Sequence, residues 1–526
     1  MKLSQSATLF LLLVFVTKAF AHSPYTYSLS SGYDVLFYDL EIKLDAKLQR
    51  IAGRNRITFH TDRVLESLTL SLAGNMQAAR VLYLGRPQTF NQKDGKLEVK
   101  FAQPLKKSIT TTVEVFFAGN PLSTRSENPI WATGERGRDL ISLSPDMLAP
   151  EQWWPINPDP EDLADSMALS VIFDRDAEVV ASGQFRQKNN LPGNFSQWEF
   201  KHPGKIGPQN VSIHIGDFVL VTDVYNNRSG SHQMQAWVTR AHQARAREYL
   251  YELKGMIGFM EKYFGIYPYW KEGYRITEGN SGHQLAPVEE NSVQGESGFI
   301  ENGDRYLLRQ VAYDWFERPL KIAETKDAWI YEALYTYAEF LFFEEYFNAE
   351  RAKVYMSSER EHIQDVPLIH NVTLTPSLNR QIGLKGAWLL HTLRRVVDND
   401  VKWFETLRSL SVDFRNKPLT TQEFYEYLSW KLGEDYVYIF RQYLVHPNLP
   451  VFVYRIQKKG KKFNLYYRWE TDVPEFDLPV DMQTLSGVER LKPTNEWQTF
   501  FRKGMSEKQV FFDTGAGLYE IRKESD

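Results

Sequence analysis

RYLLRQVAYDWFE at residues 305–317 and WIYEALYTYAEFLFFEEYF at residues 329–347 are the two stretches that decide the fold. Both place apolar residues at the spacing of an amphipathic helix, which predicts two consecutive helices rich in aromatic side chains. The same periodicity occurs nearby in REYLYELKGMIGFMEKYFG (247–265), LKGAWLLHTLRRVV (384–397) and TQEFYEYLSWKLG (421–433). The middle of the chain is therefore predicted to be mainly helical.

On both sides of this region apolar and polar residues alternate, as expected for half-buried strands. The alternation runs through VLFYDLEIKL (35–44), TTVEVFFAG (111–119) and NVSIHIGDFVLVTDV (210–224), and it returns after residue 450 in VFVYRIQ and FNLYYRWET. We predict an N-terminal β domain at residues 22–222, a mainly helical domain at 223–445 and a small β-sandwich at 446–526, after a signal peptide at 1–21.

The signal peptide is predicted from the N-terminal pattern. A lysine precedes an apolar run from Ala7 to Val16, and Ala19-Phe20-Ala21 provides a small-residue cleavage site. The run is too short to span a bilayer as a helix, so we expect no stable membrane insertion. A chain without cysteine has no disulfides. We expect export to the periplasm or outside the cell, most simply in a bacterium.

Charge excludes one class of partner. Lys and Arg number 62 against 66 Asp and Glu, which gives a formal net charge of -4 without a long run of either sign. Nucleic-acid binding is therefore not expected.

The helical stretches resemble the aminopeptidase N-like gluzincins, which are HExxH-type zinc metallopeptidases. RQVAYDWF (309–316) aligns with the family's HELAHQWF, and WIYEALYTYAE (329–339) aligns with its WLNEGFATYAE. The resemblance covers nearly the whole mature chain. It implies an α+β multidomain fold with an N-terminal β-sheet saddle, a thermolysin-like helical domain and a C-terminal β-sandwich, and with the family's C-terminal helical domain absent.

The resemblance also implies which residues stand at the family's active site. Arg309 and Tyr313 replace the two zinc-binding histidines, Gln310 replaces the general base, and Glu332 retains the third ligand. Gly383 replaces the tyrosine that stabilises the oxyanion. We therefore expect that no catalytic residue is intact and that Glu332 is the one family metal ligand still present.

Two further predictions follow from this alignment. The glutamate that binds the substrate's free amine has its counterpart at Glu289 or Glu290, in LAPVEEN (285–291). The Arg309 guanidinium would lie near the Glu332 carboxylate, so we expect an ion pair at about 2.7–2.9 Å in place of the metal. His283, His362 and His370 lack ligand spacing and are expected to be ordinary polar residues.

These residues predict an inactive pseudopeptidase that binds a peptide N-terminus or a protein partner and needs no cofactor. The alternative is an active zinc-dependent aminopeptidase that releases N-terminal residues and recruits zinc through ligands the alignment does not match, with Glu332 and Glu289 or Glu290 still in place. A third possibility is a structural subunit that does not use the site.

Overall fold

The structure is a computed structural model that describes residues 32–122, 130–134, 137–144, 148–159, 162–278, 302–363, 367–369, 376–459, 462–485, 487–503, 509–513, 515 and 517–524. The chain divides into two compact units. The first contains Met1–Trp131 and Ser142–His214, and the second contains Ala132–Ile141 and Ile215–Asp526. Glu289, Glu290, His283 and His370 lie outside the described residues, as does the predicted signal peptide.

Apart from short 3-10 turns, strands account for the regular structure of the described residues up to 216. They are β1 Tyr33–Asp45, β2 Arg50–Thr61, β3 Leu65–Ser71, β4 Met76–Tyr83, β5 Arg86–Pro87, β6 Thr89–Lys93, β7 Lys96–Leu105, β8 Thr110–Gly119, β9 Trp131–Thr133, β10 Asp139–Leu143, β11 Ser166–Asp174, β12 Glu178–Ala181, β13 Gln184–Leu191, β14 Phe195–His202 and β15 Ile213–Gly216. The first unit contains a large sheet in the order β13-β14-β11-β1-β2-β8-β4-β5 and a smaller sheet β3-β7-β6. Leu40, Ile42 and Leu44 alternate into its core, as the sequence pattern requires.

One buried acidic pair stands out in the first unit. Asp162 is 5% exposed and accepts hydrogen bonds on Oδ2 from the Val35 backbone N–H and from Asn157. Its carboxyl also contacts the carboxyl of Asp34. Burial raises the pKa of Asp162 to about 7, and the neighbouring Asp34 charge adds to that shift.

Helices dominate the second unit. A three-stranded sheet of β16 Phe218–Asn227, β17 Gly230–Thr239 and β18 Tyr274–Thr277 packs beside them, and β19 Lys321–Ile322 pairs with β20 Pro418–Leu419. The helices are α1 Gln243–Phe264, α2 Asn302–Tyr313, α3 Trp329–Tyr346, α4 Ala349–Arg360, α5 Pro376–Val397, α6 Asp400–Asp413, α7 Thr421–Leu432 and α8 Val437–Val445. Thr420 and Glu423 form a capping box at the start of α7, and Gly433 ends that helix with a φ of 79°.

The last strands form two facing sheets. They are β21 Val451–Lys459, β22 Lys462–Glu470, β23 Val480–Thr484, β24 Gly487–Leu491, β25 Gln498–Lys503, β26 Phe511–Phe512 and β27 Glu520–Lys523. One sheet has the order β25-β22-β21-β27 and the other β24-β23-β26, with Phe452 and Trp469 fully buried in the sandwich. No helix in the described chain is long and apolar enough to cross a membrane.

Candidate functional site

The candidate site is built on the last turn of α2 and the first turn of α3. Val311, Ala312, Trp315 and Phe316 are buried, and the Trp315 indole donates a hydrogen bond to the Gly265 carbonyl at 2.7 Å. This burial fixes the rotation of α2, so that Arg309 lies away from the core-facing stripe. The sequence pattern predicted the helix to continue to Glu317, but α2 ends at Tyr313 and a turn follows.

Arg309 and Glu332 are in direct contact. The guanidinium Nη2 lies 2.5 Å from Glu332 Oε2, and the two side chains are 39% and 13% exposed. The ion pair expected from the sequence is therefore present, at a distance shorter than the expected range. Glu332 also lies in the first turn of α3, where the helix dipole favours a carboxylate.

A tyrosine ring supports the same guanidinium. The Arg309 guanidinium carbon lies 4.3 Å from the centroid of the Tyr335 ring, one turn along α3 from Glu332. Burial alone lowers the pKa of Arg309, but the attraction of Glu332 outweighs burial and the net pKa is raised. Arg309 is therefore a permanent cation at this place.

A second pair, Tyr335 and Glu317, lies beside the first and is not predicted by the sequence pattern. The Tyr335 hydroxyl hydrogen-bonds to the Glu317 carboxylate, and burial followed by that negative charge raises the pKa of the tyrosine far above its usual value. Burial also raises the pKa of Glu317, with a further increase from Glu332. Tyr335 could have been found by its spacing from Glu332 on one helix, whereas Glu317 lies in the turn after α2, which carries no periodic signal.

Gly383 lies where α5 meets α3. A β-carbon there would lie 2.6 Å from Thr336 Oγ1 and 3.1 Å from the Glu332 carbonyl oxygen, and one at Gly386 would lie 2.5 Å from the Ala333 β-carbon. The two glycines allow the helices to approach closely. Gly383 therefore has a packing role that the alignment with a tyrosine did not predict.

The side chains at this place do not fit a zinc ion. Arg309 has no lone pair to donate and brings a positive charge onto the Glu332 carboxylate. Within the described ranges, no group of three or more His, Cys, Asp or Glu side chains is placed to hold a metal ion. His362, which is among the described histidines, contacts the Ser358 carbonyl through Nδ1 at 3.1 Å.

No protein-family model matches the sequence, and no curated protein matches it. Solved structures are similar to it. The chain is similar to the M1 zinc metallopeptidase from Deinococcus radiodurans, with a TM-score of 0.64 and 19% identity over 80% of this chain and 95% of the other. It is similar to Legionella pneumophila aminopeptidase A in complex with aspartic acid, with a TM-score of 0.75 and 15% identity over 94% of this chain and 60% of the other.

A third similar structure is a two-domain M1 zinc metallopeptidase variant bound to L-arginine, with a TM-score of 0.62 and 20% identity over 78% of this chain and 94% of the other. At identities this low the similarity shows a shared fold and does not show a shared activity. The comparisons confirm the predicted α+β multidomain fold and its likeness to M1 aminopeptidases.

Proposed function

We propose that this chain is an exported, catalytically inactive aminopeptidase-like protein that binds a peptide N-terminus or a protein partner and requires no zinc. The observation that carries the proposal is the 2.5 Å contact between Arg309 and Glu332. A cation held on the only retained ligand competes directly with a metal ion for that carboxylate.

Proton transfer is the second requirement of the family's chemistry. A general base must accept a proton from water, and the amide of Gln310 has no such basicity near neutral pH. Tyr313 would have to ionise to bind zinc well. The chemistry of these two residues supports an inactive site independently of the ion pair.

The retained function would be recognition. Glu289 and Glu290 are the candidates for holding a free amino group, by the alignment given above. Replacing both with Gln should then weaken binding of a peptide with a free N-terminus, and should leave binding of its N-acetylated form unchanged. Equal binding of both peptides by the unmodified protein would contradict amine recognition.

The likeness to zinc aminopeptidases favours the alternative, an active enzyme that releases N-terminal residues and holds zinc through Glu332 and further ligands that the alignment does not match. Metal analysis of the purified protein, beside an assay with aminoacyl-fluorophore substrates, separates the two. The proposal expects substoichiometric zinc and no chelator-sensitive turnover. One tightly bound zinc per chain, with turnover lost in Glu332→Ala, would establish the alternative.

Restoring the family's residues at the site is a second test. The combined change Arg309→His, Gln310→Glu and Tyr313→His should create stoichiometric zinc binding with Glu332, because it restores the HExxH pattern and removes the competing cation. Arg309→His alone should not, since it leaves too few ligands. Tight zinc binding by that single variant, measured by metal analysis after dialysis, would contradict the assignment of Tyr313 as a position that does not bind zinc.

A fourth reversion, at Gly383, is limited by packing. Gly383→Tyr would restore the family's oxyanion residue, but its β-carbon would overlap Thr336. We therefore expect zinc binding to return before activity does, because a tyrosine at this position requires Thr336 or α5 to move.

A further inference from the structure

The C-terminal sandwich carries a cluster of arginine and aromatic side chains on the outer face of the sheet β25-β22-β21-β27. Arg455 pairs in register with Tyr466 on β22, and Trp497 immediately precedes the edge strand β25. The guanidinium carbons of Arg455 and Arg468 lie 4.7 Å and 4.8 Å from the Trp497 ring centroid. We call Arg455, Tyr466, Arg468, Trp497 and Phe501 the arginine–aromatic face.

Charge on this face is unevenly compensated. Arg468 donates to Glu470 at 2.5 Å, and Arg522 contacts the other oxygen of the same carboxylate. In the described part of the chain no acidic side chain pairs with Arg455, and the Nε atoms of Arg455 and Arg468 are both buried without a hydrogen-bond acceptor. The Arg455 guanidinium carbon also lies 5.2 Å from the centroid of the Tyr466 ring.

This arrangement is costly without a ligand. A half-buried guanidinium without an acidic partner loses hydration that ring stacking only partly replaces. Stacking also holds the planar fork in one orientation, which reduces the entropy lost when a carboxylate binds it. The cluster is therefore organised to accept an anionic group.

The neighbouring strand indicates the shape of the ligand. Among the described strands β25 pairs with β22 alone, and it forms one edge of its sheet. Phe501, in the middle of the edge strand, is 54% exposed. An extended chain that pairs with such an edge gains main-chain hydrogen bonds and places alternate side chains on one face.

We propose that the arginine–aromatic face and the β25 edge together bind an extended acidic polypeptide segment. One acidic side chain would meet the Arg455 guanidinium, and an apolar side chain two residues along would pack on Phe501. A polypeptide can contact the Arg455 guanidinium, the exposed Phe501 ring and the β25 edge at the same time. A nucleic acid has no backbone that pairs with a strand. The proposal does not depend on whether the α2–α3 site is catalytic.

The test is fluorescence anisotropy with the full chain and a short labelled peptide of alternating glutamate and valine. We expect saturable binding that weakens with added salt, and little binding of the matching lysine–valine peptide. Arg455→Ala should weaken binding by about tenfold, the usual effect of losing a charge-assisted hydrogen bond. Arg247→Ala removes an exposed arginine of α1 and is the matched control, with no change expected.

Two further measurements separate recognition from folding. Arg455→Lys keeps the charge but loses the fork, so it should bind more weakly than the unmodified protein with an unchanged melting temperature. Phe501→Ser should weaken the glutamate–valine peptide more than a glutamate–serine peptide. Equal affinity in Arg455→Ala and the unmodified chain, or tighter binding of a single-stranded oligonucleotide than of the acidic peptide, would overturn the proposal.

Discussion

Replacing Arg309 with methionine should destabilise the protein far more than replacing a surface arginine, because it leaves Glu332 charged and poorly solvated. Methionine keeps most of the aliphatic length, so the change tests charge and hydrogen bonding with little loss of packing. The perturbed contact is the 2.5 Å ion pair, and Glu332 is only 13% exposed.

The magnitude follows from the exposure of the two partners. Removing one partner of a buried pair costs about 3–5 kcal/mol, and exposed pairs contribute roughly 0.2–1 kcal/mol. Arg309 is 39% exposed, so the pair lies between these limits. Allowing roughly 0.5 kcal/mol for the lost stacking on Tyr335, we expect a total loss of about 2 kcal/mol.

The assay is urea denaturation followed by both far-UV circular dichroism and tryptophan fluorescence, since two units need not unfold together. Arg441→Met is the control, because its guanidinium lies 3.7 Å from Glu475 with side chains that are 55% and 72% exposed. We expect a double-mutant cycle with Glu332→Gln to give a coupling energy of about 1–2 kcal/mol. Glu332→Leu introduced into Arg309→Met should recover stability, because it removes the orphaned charge.

A loss in Arg309→Met no greater than in Arg441→Met would refute this reasoning. A coupling energy near zero would do the same, since it would show that the contact contributes nothing beyond its separate parts.

Two other outcomes test the packing and the buried carboxyl pair. Gly383→Ala should lower the free energy of unfolding by about 1–3 kcal/mol through overpacking. Gly255→Ala on α1 should not, because the atom nearest to its added β-carbon would be 3.7 Å away. Equal effects of the two changes in urea denaturation would count against close packing of α3 and α5. Asp162 has a folded pKa of about 7, above its value in an unfolded chain, so its contribution to stability is present at low pH and is lost as pH rises through about 7. Asp162→Asn should flatten the decline in stability from about pH 4 to about pH 7, and an unchanged pH profile would show that this group is not responsible.

The sequence by itself determined the order of elements and the chemistry of single positions. Period-two alternation around Leu40–Leu44 and helical spacing around Val311–Phe316 are local consequences of which side chains must leave water, so they can be read without coordinates. The identities of Arg309, Gln310 and Tyr313 likewise fix what those positions can donate or accept. The alignment then brought Arg309 near Glu332, and the pair is present.

Tertiary structure alone decided which groups share one environment. Glu317 lies in a turn with no periodicity, and it reaches Tyr335 only because α2 and α3 pack as they do. The family resemblance aligns Gly383 with a tyrosine, but close approach of α5 to α3 makes it a packing residue. Arg455, Arg468 and Trp497 are separated along the chain and meet through strand register. Burial, hydrogen bonding and pKa depend on such nonlocal contacts, and a single sequence does not contain their distances.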